Sequence, residues 1–421
     1  MRPDRHLVGF AAVTLEWCAS MLDGLYVPVT SLLSMLVVLL IVVTIHELGH
    51  FGAGKLFGVK IERFSIGFGK PIWSRRDKSG VEWCLAWIPL GGYVKFAGDE
   101  HVSSAAPSPE ELDVARQKIV AAEGPDAEKA YYHFKPVWQR AIIAAAGPVT
   151  NFVLAIIVFA VLFGTLGMPI RPAQVMAIQP GSAAEQAGFK VGDLITAIDG
   201  RKIESERDAR LAIMLRADSA TKFEIRRDGQ VQTLVATPTR RHVVGQADHV
   251  RAGVLGVQLG GRTYLKRYDP ISALGQGALQ CWRVIDTNLT YIGRIFTGKE
   301  SGDQISGVLG MTKVAGETAR EAASVQADNS IRALNTVVAL ASLLAVISVG
   351  IGFLNLLPIP ILDGGHLVFY AYEAVFGKPI PAAVQAGGYR IGLVLVLGLF
   401  LFATWNDLRN LSVFKFIGSL L

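Results

Sequence analysis

Four stretches of apolar residues are long enough to cross a lipid bilayer, which takes about 20 helical residues. They lie at 31–57, 141–166, 333–357 and 389–405, and more polar segments separate them. The pattern therefore predicts a polytopic α-helical membrane protein with four transmembrane helices.

Two segments instead alternate between apolar and polar positions, which is typical of strands. Residues 64–96 alternate as a β-hairpin does, and the run at 191–200 ends on an Asp-Gly turn inside a longer segment of short predicted strands. A third segment, 270–297, repeats its apolar residues at helical spacing. It predicts an amphipathic helix, either lying on the membrane surface or packed as an ordinary domain helix.

The composition agrees with a membrane protein that carries soluble parts, since 51% of residues are hydrophobic, 18% are charged and the mean hydropathy is +0.39. The net charge of +6 comes without the mixed aromatic and basic pattern of a nucleic-acid surface, and no nucleic-acid partner is expected. The three cysteines form no C-x-x-C pair and their number is odd, so neither a disulfide framework nor a cysteine zinc site is supported.

Lysine and arginine flank the first and second stretches on the sides that face each other, as at Lys55, Lys60, Lys135 and Arg140. Positive residues favour the cytoplasmic side, so the loop between these spans is expected in the cytoplasm and residues 167–332 outside. Arg2 and Arg5 point the other way for the N-terminus.

The first stretch contains His46-Glu47-Leu48-Gly49-His50, an H-E-x-x-H motif on a predicted helix. Four residues make about one helical turn, so the two imidazoles share a face and can bind one zinc ion. Glu47 can take a proton from the attacking water. The alternative is a capping or core histidine pair, but such polar groups at the end of an aliphatic run are costly in lipid.

A catalytic zinc needs a third protein ligand, and Asp363 is the best candidate. It follows Pro358 and Pro360 at the end of the third stretch, on the same side of the membrane as the histidines. The prolines break the helix, and irregular backbone at membrane depth lines a cavity or is buried in protein. The alternative for Asp363 is a turn residue before two glycines.

Together these motifs resemble the site-2 protease family of intramembrane zinc metalloproteases (peptidase M50 type), and within it the RseP-like (regulator of sigma-E protease) branch. The resemblance is carried by H-E-x-x-H, by Asn355 to Gly364 (N-x-x-P-x-P-x-L-D-G), by Gly67-Phe68-Gly69 with Pro89 to Val94, and by Ala146-Gly147-Pro148 with Asn151-Phe152.

The resemblance implies a zinc endopeptidase in which His46, His50 and Asp363 bind zinc and Glu47 is the catalytic acid and base. It implies that Asn355 assists catalysis and that the hairpin is a membrane-re-entrant β-element. Substrate-binding positions are assigned at Gly67, Phe68, Gly69, Pro358 and Pro360.

Residues 170–260, an insert between the second and third apolar stretches, resemble a single PDZ domain. The resemblance is carried by residues 175–178, 180–184, 187–188 and 191–200. Such a domain can capture a peptide C-terminus by strand addition, or it can act only as a size filter over the site entrance. The expected segments follow in chain order: 1–25, N-terminal tail; 26–58, first span; 59–98, re-entrant hairpin; 99–140, cytoplasmic loop; 141–167, second span; 168–262, extracytoplasmic PDZ domain; 263–332, helical linker; 333–366, third span; 367–388, cytoplasmic loop; 389–421, fourth span and tail.

The resemblance further implies regulated intramembrane proteolysis in a bacterial inner membrane. The expected substrates are single-span membrane proteins, such as an anti-sigma factor already cut outside, or remnant signal peptides. A transporter with intramembrane charges would show internal repeats, and none is seen. A scaffold would not need Glu47 or Asp363, and a zinc protease only tethered to the membrane would not hold H-E-x-x-H inside a span.

Overall fold

The computed structural model describes residues 5–98, 109–214, 216–242, 251–297, 307–324 and 328–410. Five predicted segments lie partly outside the described residues: the N-terminal tail at 1–25, the loop at 99–140, the PDZ-like insert at 168–262, the linker at 263–332, and the fourth span with its tail at 389–421. The chain forms two compact units, one made of Met1–Ala160 with Leu274–Leu421 and the other of Val161–Ala273.

Four long helices carry the apolar stretches: α1 (Arg5–Leu56), α3 (Val137–Thr165), α8 (Asn329–Asn355) and α10 (Ala382–Asn410). Ser31–Leu56 of α1 and most or all of the other three are long and apolar enough to cross a membrane. Each is 26–29 residues long, and at about 1.5 Å per residue it exceeds the roughly 30 Å hydrocarbon core. Large apolar side chains point outward from them, among them Val337 and Val394, as lipid-facing positions do.

The third apolar segment is broken where the prolines stand. Helix α8 ends at Asn355, residues 356–362 are not helical, and α9 (Asp363–Phe376) starts at the aspartate. A side chain at Gly364 would lie 2.3 Å from the carbonyl oxygen of Leu357, so the loop can pass this close to α9 only over glycine. Gly364 and Gly365 thus let residues 356–360 pack directly against the first turn of α9.

The segment after α1 is a β-hairpin made of β1 (Ile61–Arg76) and β2 (Glu82–Phe96). Gly67 and Gly69 adopt positive φ angles of 87° and 91°, and β1 bends there so that both its halves pair with β2. Residues 61–66 lie between the two ends of β2, pairing with 92–96 on one side and 82–85 on the other. The end of β2 is therefore an edge of this sheet, paired among the described strands only with β1.

A small apolar core fastens the hairpin to the long helices. Phe64 is fully buried, with its ring 4.8 Å from that of Trp83 and 5.6 Å from that of Phe51 on α1. Ile143 of α3 belongs to the same buried cluster. The hairpin is thus held rigidly beside the end of α1 that carries H-E-x-x-H.

The second unit is built on a six-stranded sheet with a separate apolar core. Its strands run in the order β11 (Val257–Gly260), β4 (Gln174–Ile178), β5 (Leu194–Ile198), β7 (Thr221–Arg227) and β8 (Gln230–Ala236), and β6 (Arg201–Lys202) pairs with β5. Helices α4 (Ala183–Gln186) and α5 (Glu206–Met214) complete the core, and two two-stranded pairs flank it. Those pairs are β3 (Met168–Ile170) with β12 (Tyr264–Lys266), and β9 (Thr239–His242) with β10 (Arg251–Val254).

The remaining helices lie in segments expected as loops or linker. Helix α2 (Pro109–Glu123) and two 3₁₀ turns (Ala127–Ala130 and Tyr132–Phe134) occupy the segment expected as a cytoplasmic loop, and α9 extends ten residues into the next expected loop. Two glutamates in the first turn of α2 favour a helix there. The segment was predicted as a loop because its hydrophobicity is low. The linker holds α6 (Pro270–Phe296), the expected amphipathic helix, and α7 (Val308–Ser324), which packs between α1 and α8.

Candidate metal centre and active-site cavity

Three side chains predicted to bind a metal meet at one point. The Nε2 atoms of His46 and His50 are 3.2 Å apart, because the two residues are one turn apart on α1. Asp363 places Oδ2 3.2 Å from Nε2 of His46 and Oδ1 3.6 Å from Nε2 of His50. The histidines are buried, and the three residues can offer ligand atoms that all lie within 4.8 Å of one another.

This donor set fits zinc. Ligands at 2.0–2.2 Å around a tetrahedral zinc lie about 3.3–3.6 Å from one another, close to the 3.2–3.6 Å separations seen here. Two imidazole nitrogens and one carboxylate suit zinc, whereas calcium and magnesium prefer oxygen ligands throughout. Nδ1 of His50 donates to the carbonyl oxygen of Ile143 at 2.8 Å, which leaves the Nε2 lone pair free for a metal.

The close packing of α3 against α1 shapes the site. A side chain at Gly147 of α3 would lie 2.3 Å from Nε2 of His50 and 2.9 Å from Cε1 of His46. Only glycine lets α3 pass this near the two rings. The metal centre therefore requires glycine at the middle position of Ala146-Gly147-Pro148 on steric grounds.

Glu47 lines one cavity together with His46, His50 and Asp363. A side chain at Gly92, in the edge strand of the hairpin, would come within 3.2 Å of Cγ of Glu47. The edge strand therefore passes directly over the carboxylate that the sequence predicts as the catalytic base.

A cavity of about 480 Å³ connects these groups. Of the other predicted site residues, Asn355 and Phe68 line it, and Phe68 is 45% exposed. Gly67, Gly69, Pro358 and Pro360 are not among its lining residues. Pro360 instead packs against glycines of α10, and Gly67 and Gly69 lie at the bend of β1.

The cavity has a second, polar end that the sequence analysis did not identify. Arg140 donates to Glu373 at 2.7 Å and lies over the ring of Tyr370, whose hydroxyl is 2.8 Å from that of Tyr132. Burial and the nearby Arg140 charge lower the pKa of His133, which also lines the cavity, to about 4. These contacts join α3 to α9, the helix that starts at Asp363.

Comparison with known proteins identifies the family of the chain. The model of peptidase family M50 matches residues 34–399, which include all three predicted ligands and Glu47. The chain belongs to peptidase family M50. The family assignment confirms the resemblance to site-2 proteases, and residues 34–399 cover both the metal centre and the insert.

Individual relatives of this M50 protease match over nearly their whole length. Metalloprotease MmpA of Caulobacter vibrioides is 47% identical over 392 residues, which cover 92% of this chain and 98% of MmpA. A protein of Agrobacterium fabrum named "Putative zinc metalloprotease" is 37% identical, covering 94% of this chain and 99% of its own. One of Rhizobium meliloti with the same description is also 37% identical, covering 92% and 98%. The chain is therefore a zinc metalloprotease, as the sequence predicts.

A solved PDZ domain from the SdrC-like protein of Listeria innocua aligns with 22% of this chain and 96% of its own, at 19% identity. Its TM-score of 0.18 is too low to bear on the fold. The description of the second unit therefore rests on its own strand order and core.

Proposed function

We propose that this M50 protease is an intramembrane endopeptidase that cleaves the transmembrane segments of single-span membrane proteins. The observation that carries the proposal is the position of H-E-x-x-H inside Ser31–Leu56, a helix long and apolar enough to cross a membrane. With Asp363 brought to the same point, the hydrolytic groups lie within or beside a membrane span.

In this proposal His46, His50 and Asp363 hold the zinc ion, which when bound polarises a carbonyl and makes water more acidic. Glu47 takes a proton from the attacking water as the new carbon–oxygen bond forms. It then gives that proton to the leaving amine as the carbon–nitrogen bond breaks. Asn355, on the cavity wall, donates from its amide to the oxygen that gains negative charge.

The edge strand at 92–96 is the proposed substrate platform. A helical substrate hides its peptide bonds in its own hydrogen bonds, so it must become extended before cleavage. Adding it as a strand to the open edge of β2 would pair its backbone and hold one peptide bond beside Glu47. Phe68 would then contact a substrate side chain. Gly67 and Gly69 would act through the bend of β1, and Pro358 and Pro360 through the loop before α9.

The catalytic assignment is tested with Glu47→Gln. The variant should bind zinc as the wild type does and lose cleavage of a single-span substrate in detergent or liposomes. Membrane proteomics of cells that carry the variant should show single-span stubs accumulating. Turnover near the wild-type rate in E47Q would overturn the assignment.

The platform is tested with Tyr93→Pro, which removes a backbone N–H from the edge strand. Zinc binding should persist while cleavage slows. Two controls separate the lost N–H from side-chain loss and from general damage to the hairpin. Tyr93→Ala removes the ring but keeps the N–H, and Ser74→Pro lies on the opposite edge strand. Equal cleavage by Y93P and wild type would rule out strand addition here.

We further propose that the second unit is a PDZ domain that binds a peptide C-terminus along β11. Among the described strands β11 pairs only with β4, so its other side is open for strand addition. The orientation that leaves this unit in the periplasm of a bacterial inner membrane rests on the positive residues around the first loop. Anti-sigma factors and remnant signal peptides are the proposed substrates. Fluorescence anisotropy with C-terminal peptides of single-span proteins, free and amidated, tests the groove; no preference for the free carboxylate would exclude this mode.

A further inference from the structure

The side-chain amide of Asn151 lies beside the metal centre and takes no part in the mechanism proposed above. Asn151 on α3 is fully buried, and its side-chain nitrogen lies 3.2 Å from Nδ1 of His46. Its side-chain oxygen is also buried and meets no hydrogen-bond donor among the described residues. A buried polar atom left without a partner costs about 1–3 kcal/mol, so such an arrangement points to a second state in which the atom is used.

The two histidines show what that state is. In His50 the Nδ1 atom donates to the carbonyl oxygen of Ile143, and Nε2, which faces Asp363, is left with a lone pair. For His46 to offer a lone pair from Nε2 as well, its Nδ1 must carry the hydrogen. That hydrogen needs an acceptor, and the group at that position is the Asn151 amide.

The amide can face His46 in either of two ways. With its nitrogen toward the ring it donates to Nδ1, which places the ring hydrogen on Nε2 and matches the 3.2 Å contact of Nε2 with Asp363. A half-turn about the side-chain bond puts the oxygen in the same place, because the two ends of the amide are nearly equal in size. The oxygen then accepts from Nδ1, and Nε2 is free to bind a metal.

We propose that Asn151 is a positioning residue whose side-chain oxygen accepts a hydrogen bond from Nδ1 of His46 and thereby fixes the zinc-binding form of that ring. The inference rests on the proposed zinc ligation by His46. The backbone oxygen of Asn151 accepts separately from Ser348 of α8 at 2.8 Å, a contact that does not involve the side-chain amide.

The experiment measures zinc affinity of the purified full-length protein by competition with a fluorescent chelator. Asn151→Leu removes the acceptor while filling the space, and its zinc affinity should fall about 10–100-fold, the usual effect of losing an outer-sphere partner. Asn151→Asp keeps an acceptor, and its affinity should stay within threefold of the wild type or exceed it. Ser348→Ala, which removes a contact of the same residue without touching the amide, should leave zinc affinity unchanged.

Cobalt(II) gives a spectroscopic signature of the same site. The ligand-field bands of the cobalt-loaded N151L protein should weaken or shift, and those of N151D and S348A should match the wild type. If N151L does not fold, Asn151→Ala replaces it, with unfolding of the metal-free protein measured to confirm that the fold is kept.

Two results would overturn the inference. One is wild-type zinc affinity in N151L or N151A. The other is an equal loss in N151D and N151L, which would show that an acceptor at this position does not support zinc binding. His46→Ala tests the underlying ligation separately. Undiminished zinc affinity in H46A would overturn the ligand assignment itself, and this inference with it.

Discussion

The contact between Gly147 and the histidine rings gives the sharpest test of the metal centre. In Gly147→Ala the new methyl group would lie 2.3 Å from Nε2 of His50, about 1 Å short of the 3.4 Å at which ordinary contact begins. His50 cannot turn away freely, because its other ring nitrogen donates to Ile143 at 2.8 Å. Either the ring or α3 must therefore move by about 1 Å, whereas zinc sites tolerate about 0.2 Å in ligand distance.

We expect G147A to weaken zinc binding at least about 100-fold, which corresponds to about 2.7 kcal/mol. The fold should survive, since alanine within a helix is favoured over glycine by about 1 kcal/mol. Chelator competition on the purified protein measures the first effect, and thermal unfolding of the metal-free protein measures the second.

Gly52→Ala is the matched control, because Gly52 lies on α1 close to the motif and a side chain there would meet nothing within 4 Å. It should leave zinc affinity and cleavage unchanged. If G147A bound zinc as tightly as G52A and cleaved substrate normally, the packing of α3 on the two rings would not be as described here.

Three further predictions concern the metal and the polar end of the cavity. Chelation should abolish cleavage, and zinc but not magnesium should restore it, because two of the three ligands are nitrogens; peptide release assays check this. Glu373→Ala removes the carboxylate that pairs with the largely buried Arg140 and should lower the free energy of unfolding by about 2–4 kcal/mol. The double variant R140M/E373L, which removes both charges, should recover most of that free energy. Denaturation assays measure both variants. The pKa of His133 is depressed in the folded protein, so the unfolded chain takes up a proton first as pH falls. The free energy of unfolding should therefore decline between pH 6.5 and about 4, and it should decline less in His133→Phe. Unfolding measured across that pH range checks this.

The sequence predicts the parts of the site that depend on local spacing. His46 and His50 share a face because they are one turn apart. Asp363 is predicted because it follows a helix broken by two prolines, and irregular backbone at membrane depth lines a cavity or is buried in protein. The hairpin was also predicted from its alternation, and β1 and β2 lie where that pattern does.

The contacts missed by the sequence analysis all join residues far apart in the chain. Gly147 against His50, Nδ1 of His50 on Ile143, and Arg140 on Glu373 depend on how α3 packs against α1 and α9. Periodicity identifies a helix but not the face that its neighbour covers. One signal was available: an asparagine in an apolar span, as at position 151, is costly unless it has a hydrogen-bond partner.

The distance along the chain between the proposed ligands bears on how the enzyme is made. His46 and His50 leave the ribosome before Asp363, which follows 313 residues after His50. At about 5–20 residues per second, roughly half a minute separates the two events. During that interval a nascent molecule holds two of the three proposed ligands and no complete hydrolytic centre, so it cannot yet cut neighbouring membrane proteins.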